Sequence, residues 1–266
     1  MELRLQGRTA FISGSTQGIG FAVAQALAAE GVRVVLNGRT PERVAAAVAR
    51  LRAAHPGAEH TGFAADFSEP RDVARLIDAL AELGDVDILV NNVGLFGLAR
   101  FESITDDDWG RYLDVNLMSG VRLSRALLPG MLERGWGRIL FVGSESGVNV
   151  PADMVHYGVT KAAMIALANG LAKLTRGTAV TVNTVLGGPT YSDGVAATVA
   201  SIADAQAAPV DAVKAAIIGQ NTTTLLERFL DPSEIAGLVA YLASPLASAT
   251  NGAAVRADGG VLTTML

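Results

Sequence analysis

The chain has 266 residues, of which 50% are hydrophobic and 18% charged, with a formal net charge of −5 and no cysteine. This composition excludes a disordered chain, a disulfide-stapled scaffold and a cysteine nucleophile, and the acidic balance argues against a nucleic-acid partner. Neither a membrane-spanning run nor a signal peptide is visible, which predicts a cytoplasmic protein with no membrane partner.

Short apolar runs alternate with helix-patterned segments along the chain. Most runs are apolar throughout, which is typical of parallel strands covered on both faces. The alternation predicts an α/β fold with a doubly wound parallel sheet of seven strands and helices on both faces. No composition shift marks a boundary, so residues 1–266 are predicted to form a single domain. The predicted strands are Thr9–Ser13, Val32–Leu36, Thr61–Ala65, Val86–Val90, Arg138–Val142, Val180–Val185 and Ala253–Arg256.

A glycine-rich turn follows the first strand and opens the first helix. Glycines there let the backbone turn tightly and approach a pyrophosphate, which the N–H groups and dipole of the helix N-terminus attract. Glycines also serve helix–strand packing, but their place at this junction favours a Rossmann-type dinucleotide site. The predicted cofactor contacts in this turn are Gly14, Ser15, Gln17, Gly18, Ile19 and Gly20.

The end of the second strand bears on the choice of cofactor. Residues 36–40 read Leu-Asn-Gly-Arg-Thr, with no carboxylate to bind a ribose 2′-hydroxyl and with Arg39 available to neutralise a 2′-phosphate. The alternative is that Arg39 is an ordinary surface residue. The missing carboxylate favours NADP(H) over NAD(H).

Tyr157 and Lys161 are four residues apart at the start of an Ala-rich helix, so their side chains share one face. A nearby cation stabilises a phenolate and lets a tyrosine exchange a proton near neutral pH. Such a pair is usually structural on its own. Here Ser144 precedes it at the end of the fifth strand, where doubly wound folds bind ligands.

The order Asn116, Ser144, Tyr157, Lys161 matches the Asn-Ser-Tyr-Lys tetrad of the short-chain dehydrogenase/reductase family residue for residue. The glycine turn, spaced Gly-x-x-x-Gly-x-Gly, and the Asn-Asn-Val-Gly at 91–94 also resemble that family. The resemblance spans the chain from Thr9 to Gly260. It implies an NADP(H)-dependent oxidoreductase that interconverts a ketone and a secondary alcohol, similar to 3-oxoacyl-carrier-protein reductases.

The resemblance also implies residue roles. Ser144 would bond the substrate carbonyl, Tyr157 would donate the proton in reduction, and Lys161 would hold the nicotinamide ribose and lower the tyrosine pKa. Asn116 would anchor a water that passes protons to Lys161. Family members that use NADP often have a second basic residue where Gln17 stands, which weakens the NADP(H) preference. The further cofactor contacts that the resemblance implies are Asp66, Phe67, Asn92, Gly94, Tyr157, Lys161, Gly188, Thr190 and Ser192.

Residues 187–226 break the strand–helix rhythm. This segment is rich in Gly, Thr and Ala, contains two prolines and has weak helical periodicity, so it is either a surface connection or, as we expect, a substrate lid. Gly187 replaces the proline usual in the family, which is expected to loosen the entry to the lid. The residues beside the motifs that are candidates for lining the substrate pocket include no Arg or Lys: Leu95, Phe96, Met154, Val155 and Tyr191. Together with the apolar lid, they suggest a moderately apolar ketone or secondary alcohol.

Other features are given structural interpretations. The three histidines lack metal-ligand spacing, and Asp106–Asp108 suit the first turn of a helix better than a metal site, so no metal is predicted. Segments 111–131 and 152–175 match the family helices that pair subunits, which predicts a homotetramer or homodimer. Two alternative functions remain. The intact Ser144, Tyr157 and Lys161 argue against a catalytically silent dinucleotide sensor. The form of the glycine turn argues against an epimerase or dehydratase.

Overall fold

Seven parallel strands form one sheet in the computed structural model, which describes residues 2–221 and 223–265. The strands are β1 (Thr9–Ile12), β2 (Arg33–Gly38), β3 (Thr61–Ala64), β4 (Ile88–Asn91), β5 (Trp136–Ser144), β6 (Ala179–Gly187) and β7 (Ala254–Ala257). Their order is β3-β2-β1-β4-β5-β6-β7, and every adjacent pair is parallel. The predicted doubly wound sheet is confirmed. The predicted domain and lid include positions 1, 222 and 266, which lie outside the described residues.

Helices connect the strands and cover the sheet. They are α1 (Gly18–Ala29), α2 (Pro41–Ala54), α3 (Pro70–Leu83), α4 (Asp106–Tyr112), α5 (Ser119–Glu133), α6 (Val155–Lys173), α7 (Asp193–Gln206), α8 (Val210–Gln220) and α9 (Pro232–Ala243). A π-helical turn, Leu113–Met118, joins α4 to α5. Within the described part of the chain, no helix has both the length and the apolar character needed to span a bilayer.

Local capping explains where α4 begins. Thr105 accepts a hydrogen bond from the Asp108 amide at 3.1 Å, and the Asp108 carboxylate accepts one from the Thr105 amide at 3.0 Å. This reciprocal capping box holds the three aspartates at 106–108 in the first turn, where the helix dipole stabilises negative charge. Their structural interpretation is confirmed.

The two faces of the sheet bury separate apolar cores. Val34 and Leu36 pack in the core that α1 and α9 cover, whereas Val35 packs in the core under α3, α5 and α6. Successive strand residues point to opposite faces, so a strand covered on both sides must be apolar at every position. That requirement explains the uninterrupted apolar runs in the sequence.

The crevice of the sheet lies beside β1. The chain winds from β1 through β2 to β3 on one side and returns to β4 on the other, so the loops after β1 and β4 separate at their carboxyl ends. Doubly wound sheets bind ligands at this switch point. At the same edge of the sheet, Ser144 ends β5 and pairs with Gly187 at the end of β6.

The segment predicted as a weakly periodic lid contains two helices, α7 and α8. Val199 and Ala203 of α7 pack against Val213 of α8 and the partly buried Tyr191, which gives the segment a small core of its own. The helices are hard to see in the sequence because Ala, Gly and Thr provide little contrast between buried and exposed faces. The weak helical periodicity of the sequence thus did not reveal the helices at 193–206 and 210–220.

Candidate active site

A cleft of about 320 Å³ opens at the switch point of the sheet. Its walls come from the turn after β1, the end of β2, the loops after β3 and β4, and the start of α7. Eleven residues that the sequence assigns to cofactor binding line it: Gly14, Gln17, Gly18, Ile19, Gly20, Arg39, Asp66, Phe67, Asn92, Gly94 and Ser192.

The glycine turn has the geometry that only glycine supports. Gly14 and Gly18 adopt φ values of +62° and +59°, in the left-handed region. A Cβ on Gly20 would lie 2.5 Å from both the Gly14 carbonyl oxygen and Asn92 Nδ2. Asn92 Nδ2 donates to the carbonyl oxygens of Ser13 and Gly14, at 3.0 and 2.9 Å, and so braces the turn. A bare backbone at a helix N-terminus fits the pyrophosphate of a dinucleotide.

Five predicted cofactor contacts lie outside the cleft lining: Tyr157 and Lys161, which are described below, and the three residues Ser15, Gly188 and Thr190. The Ser15 hydroxyl is buried, donates to the Ile12 carbonyl oxygen at 2.7 Å and accepts from the backbone of β2 at 3.0 Å. Thr190 is also buried, and its hydroxyl donates to the Gly188 carbonyl oxygen at 2.9 Å. A Cβ on Gly188 would collide with the backbone of Asp258. In this structure all three residues shape the backbone around the cleft.

The end of the cleft beyond β2 and β3 is positively charged. Arg39, Arg43 and Arg111 line it, and all three are exposed. Burial raises the pKa of Asp66, but hydrogen bonds from the Ser68 amide and hydroxyl, together with the charges of Arg39 and Arg111, bring it below its ordinary value. Arg39 is the only basic residue that the sequence predicts at the cofactor's 2′-phosphate. Arg43, one turn into α2, provides the second basic residue that Gln17 does not.

A carboxylate at the start of α7 contacts the glycine turn. Asp193, the first residue of α7, accepts a hydrogen bond from the Gly18 amide at 2.5 Å. That amide is one of the free N–H groups at the start of α1, where an anion is favoured. A phosphate at this turn would compete with Asp193 for the same donor.

The fifth strand and α6 bring the predicted reactive side chains together. Ser144 is the last residue of β5, and its hydroxyl lies close enough to the Tyr157 phenol to affect the pKa of that phenol. Lys161 is buried, and its Nζ donates to the Val142 carbonyl oxygen at 2.9 Å. Close packing holds α6 in place, since a Cβ on Gly147 would lie 2.8 Å from the Lys161 carbonyl carbon.

The environment shifts the pKa values of both ionisable groups in this centre. Burial raises the pKa of Tyr157 to about 12, although the nearby Ser144 hydroxyl acts in the opposite direction. Burial lowers the pKa of Lys161 to about 8. Lys161 Nζ lies 5.6 Å from the centroid of the Tyr157 ring. Titratable groups with shifted pKa values that lie close together beside a cleft are characteristic of a catalytic site.

Asn116 lies in the π-helical turn between α4 and α5, a distortion that often occurs at functional sites. Its side chain accepts from the Leu95 amide at 2.6 Å and donates to the Leu95 carbonyl oxygen and the Thr160 hydroxyl, at 3.0 and 2.9 Å. A Cβ on Gly94 would lie 3.5 Å from Asn116 Oδ1 and 3.6 Å from Lys161 Nζ. Asn116 and Lys161 therefore meet beside the loop that follows β4.

Sequence reasoning missed one charged member of this centre. Glu145 follows Ser144, is half-buried, and accepts a short hydrogen bond from the Ser144 hydroxyl. Its signal was a carboxylate directly after the candidate serine. His156, which precedes Tyr157, is buried with its ring centroid 4.0 Å from that of Tyr112, so it packs against aromatic neighbours.

Comparison with known proteins extends the similarity over the whole chain. Residues 8–202 match the family model described as short chain dehydrogenase. The uncharacterized oxidoreductase YvaG of Bacillus subtilis is 42% identical over 263 residues, 98% of each chain. The 3-oxoacyl-(acyl-carrier-protein) reductase FabG of Vibrio cholerae is 33% identical over 264 residues, 97% of this chain and 99% of the relative. The solved L-sorbose reductase from Gluconobacter frateurii, complexed with NADPH and L-sorbose, matches with a TM-score of 0.94 at 29% identity over 100% of both chains.

Proposed function

Because the chain belongs to the short-chain dehydrogenase family, it is an NAD(P)-dependent oxidoreductase that acts on alcohol and ketone groups. We propose that it uses NADP(H) to interconvert a ketone and a secondary alcohol, and that the residues that carry the reaction are Ser144, Tyr157, Lys161 and Asn116. The observation that carries this proposal is the contact of Tyr157 with Ser144 beside the buried Lys161. The relative FabG, a 3-oxoacyl reductase, supports a carbonyl substrate.

The four residues would divide the chemistry. When bound, the nicotinamide supplies the hydride in reduction or takes it in oxidation. The Ser144 hydroxyl would bond the substrate oxygen, and Tyr157 would give that oxygen a proton as it gains negative charge. Lys161 would stabilise the resulting phenolate by its charge. Asn116, held by Leu95 and Thr160, would position the water that returns a proton toward Lys161.

The cofactor end of the proposal depends on the basic residues after β2. Arg39 and Arg43 line the cleft after β2, and residues 36–40 at the end of that strand include no carboxylate for a ribose 2′-hydroxyl. A 2′-phosphate would gain charge-assisted hydrogen bonds from guanidinium groups at this position. The L-sorbose reductase that matches this fold was solved with NADPH, which supports the same preference.

A cofactor and substrate screen tests the function directly. Purified protein should oxidise NADPH in the presence of ketones and reduce NADP⁺ with secondary alcohols, with lower kcat/KM for NADH and NAD⁺. Tight NADPH binding without turnover of any ketone or alcohol would favour the dinucleotide sensor instead. Equal use of NADH would contradict the cofactor assignment alone.

Removing the guanidinium at position 39 should weaken NADPH binding selectively. We expect Arg39→Ala to raise the Kd for NADPH by about 10- to 100-fold, the range for a lost hydrogen bond to a charged group, with little change for NADH. Nicotinamide fluorescence titration measures both constants. Arg71→Ala, at an exposed arginine that begins α3, is the matched control. Unchanged NADPH affinity in Arg39→Ala would refute the assignment of Arg39 to the 2′-phosphate.

Neutralising the lid carboxylate should have the opposite effect. Asp193 holds the Gly18 amide that a phosphate would need, and its negative charge would repel that phosphate. We therefore expect Asp193→Asn to lower the Kd for NADPH by about 3- to 10-fold. The same titration checks this, with Asp204→Asn, near the other end of α7, as control. Weaker binding in Asp193→Asn would mean that the carboxylate assists the cofactor instead of competing with it.

A further inference from the structure

Glu145 adds to the centre described above a negative charge that no ion pair of the described residues neutralises. Its Oε2 accepts from the Ser144 hydroxyl, and its Oε1 accepts from the Ser146 hydroxyl at 3.2 Å. Among the ion pairs of the described residues, none involves Glu145. Its charge raises the pKa of Tyr157 and of Lys161, so the carboxylate lies within electrostatic reach of both.

This arrangement sets a hydrogen-bonding requirement on the substrate. The Ser144 hydroxyl has one proton, which it donates to Glu145. In the proposed reaction the Ser144 hydroxyl must donate this proton to the substrate oxygen instead. The half-buried Glu145 carboxylate then loses a hydrogen-bond donor. A polar group left without its partner in a shielded site costs more than the average hydrogen bond contributes. A simple ketone has only an acceptor to offer, so it cannot compensate.

A hydroxyl group on the carbon next to the carbonyl would compensate. It could donate to Glu145 while the carbonyl accepts from Ser144, so both side chains keep a partner. A carboxylate at that position would be repelled by Glu145. An ammonium would meet the charge of Lys161 in the same centre, which leaves a neutral hydroxyl as the best match.

We propose that Glu145 is a specificity-determining residue, which selects substrates that have a hydroxyl group beside the reacting carbon: α-hydroxy ketones in reduction and vicinal diols in oxidation. This proposal rests on the proposed function, because it assumes that Ser144 binds the reacting oxygen. It narrows the substrate class that the sequence predicts, a moderately apolar ketone or secondary alcohol. The half-exposed Phe96, which lines the cleft, remains available for an apolar remainder of the substrate.

Matched ketones isolate the contribution of the hydroxyl. Hydroxyacetone and butanone differ only in having a hydroxyl or a methyl group on the carbon beside the carbonyl. The compounds 1-hydroxyhexan-2-one and heptan-3-one form a longer pair with the same difference. We expect wild-type protein with NADPH to favour the hydroxy member of at least one pair by about 100-fold in kcat/KM, the scale for an acceptor that is left without its hydrogen bond. In Glu145→Ala the ratio should fall to about 3-fold or less. Glu145→Gln, which keeps an acceptor oxygen, should give an intermediate ratio.

The controls separate this proposal from a structural role and from failure of the proposed function. Glu82→Gln, at an exposed glutamate of α3, should keep the wild-type ratio. NADPH titration of each Glu145 variant checks that the cofactor site is intact. If Glu145→Ala loses activity equally on both members, so that the ratio stays near the wild-type value, Glu145 only positions Ser144 and the proposal is overturned. It is also overturned if wild type reduces simple ketones as well as, or in place of, hydroxy ketones. Absence of NADPH oxidation with every ketone of the broader panel would instead refute the proposed function.

Discussion

Replacement of Tyr157 by phenylalanine should lower kcat for ketone reduction by about 1,000-fold, within the usual range for loss of a general acid. The phenol is the group that contacts Ser144, and burial keeps its pKa near 12, so it is protonated and ready to donate at neutral pH. Phenylalanine preserves the ring and its packing on α6. Steady-state NADPH oxidation measures kcat, and the affinity for NADPH should change little.

The matched control for this variant is Tyr241→Phe, on α9 at a partly exposed site. It should keep wild-type activity, which separates loss of the catalytic hydroxyl from loss of any tyrosine hydroxyl. Activity of Tyr157→Phe within about 3-fold of wild type would refute Tyr157 as the proton donor, since a general acid contributes at least about 100-fold.

Replacement of Lys161 by methionine should lower kcat by about 100-fold or more, the scale for removal of a preorganised charge stabiliser. Methionine keeps the apolar length of the side chain but cannot offset the negative charge that Tyr157 develops as it gives up its proton. The hydrogen bond to Val142 would also be lost. Lys173→Met, at the exposed end of α6, is the control that keeps the same chemical change on the same helix.

The pH dependence of kcat should also show the role of Lys161. Burial lowers the pKa of Lys161 to about 8 and raises that of Tyr157 to about 12. Reduction needs a charged lysine and a protonated tyrosine, so wild-type kcat should fall as the pH rises through about 8, while Tyr157 stays protonated. The profile of Lys161→Met should lack this fall. A wild-type profile that is flat from neutral pH to well above 8 would argue against a requirement for charged Lys161.

Features that depend on local sequence could be predicted. The apolar runs located all seven strands to within about four residues, because each strand buries both faces. Thr40 with Pro41, and Asp231 with Glu234, marked the starts of α2 and α9 through caps that operate within a few residues. The glycine turn likewise follows from conformations that a single residue must adopt.

Features that depend on long-range packing could not be predicted. Asp193 meets Gly18 across 175 positions of the chain, and no local pattern records that contact. Arg43 reaches the cleft only because α2 begins where β2 ends. The position of Glu145 directly after Ser144 does not show by itself that its carboxylate accepts a hydrogen bond from the Ser144 hydroxyl. The homotetramer or homodimer stays a prediction, although Leu113 and Val159, in the two segments expected to pair, are exposed in the single chain.

Deuterium transfer from labelled NADPH tests the catalytic centre most directly. Wild-type protein is incubated with a reducible ketone and NADPH deuterated at both C4 positions of the nicotinamide, and the alcohol is analysed by mass spectrometry. We expect one deuterium on the carbinol carbon with wild type and almost none with Tyr157→Phe over the same time, while fluorescence titration shows that both proteins bind NADPH. Deuterated alcohol formed by Tyr157→Phe at the wild-type rate, or no transfer by wild type to any ketone of the panel, would contradict the proposed centre.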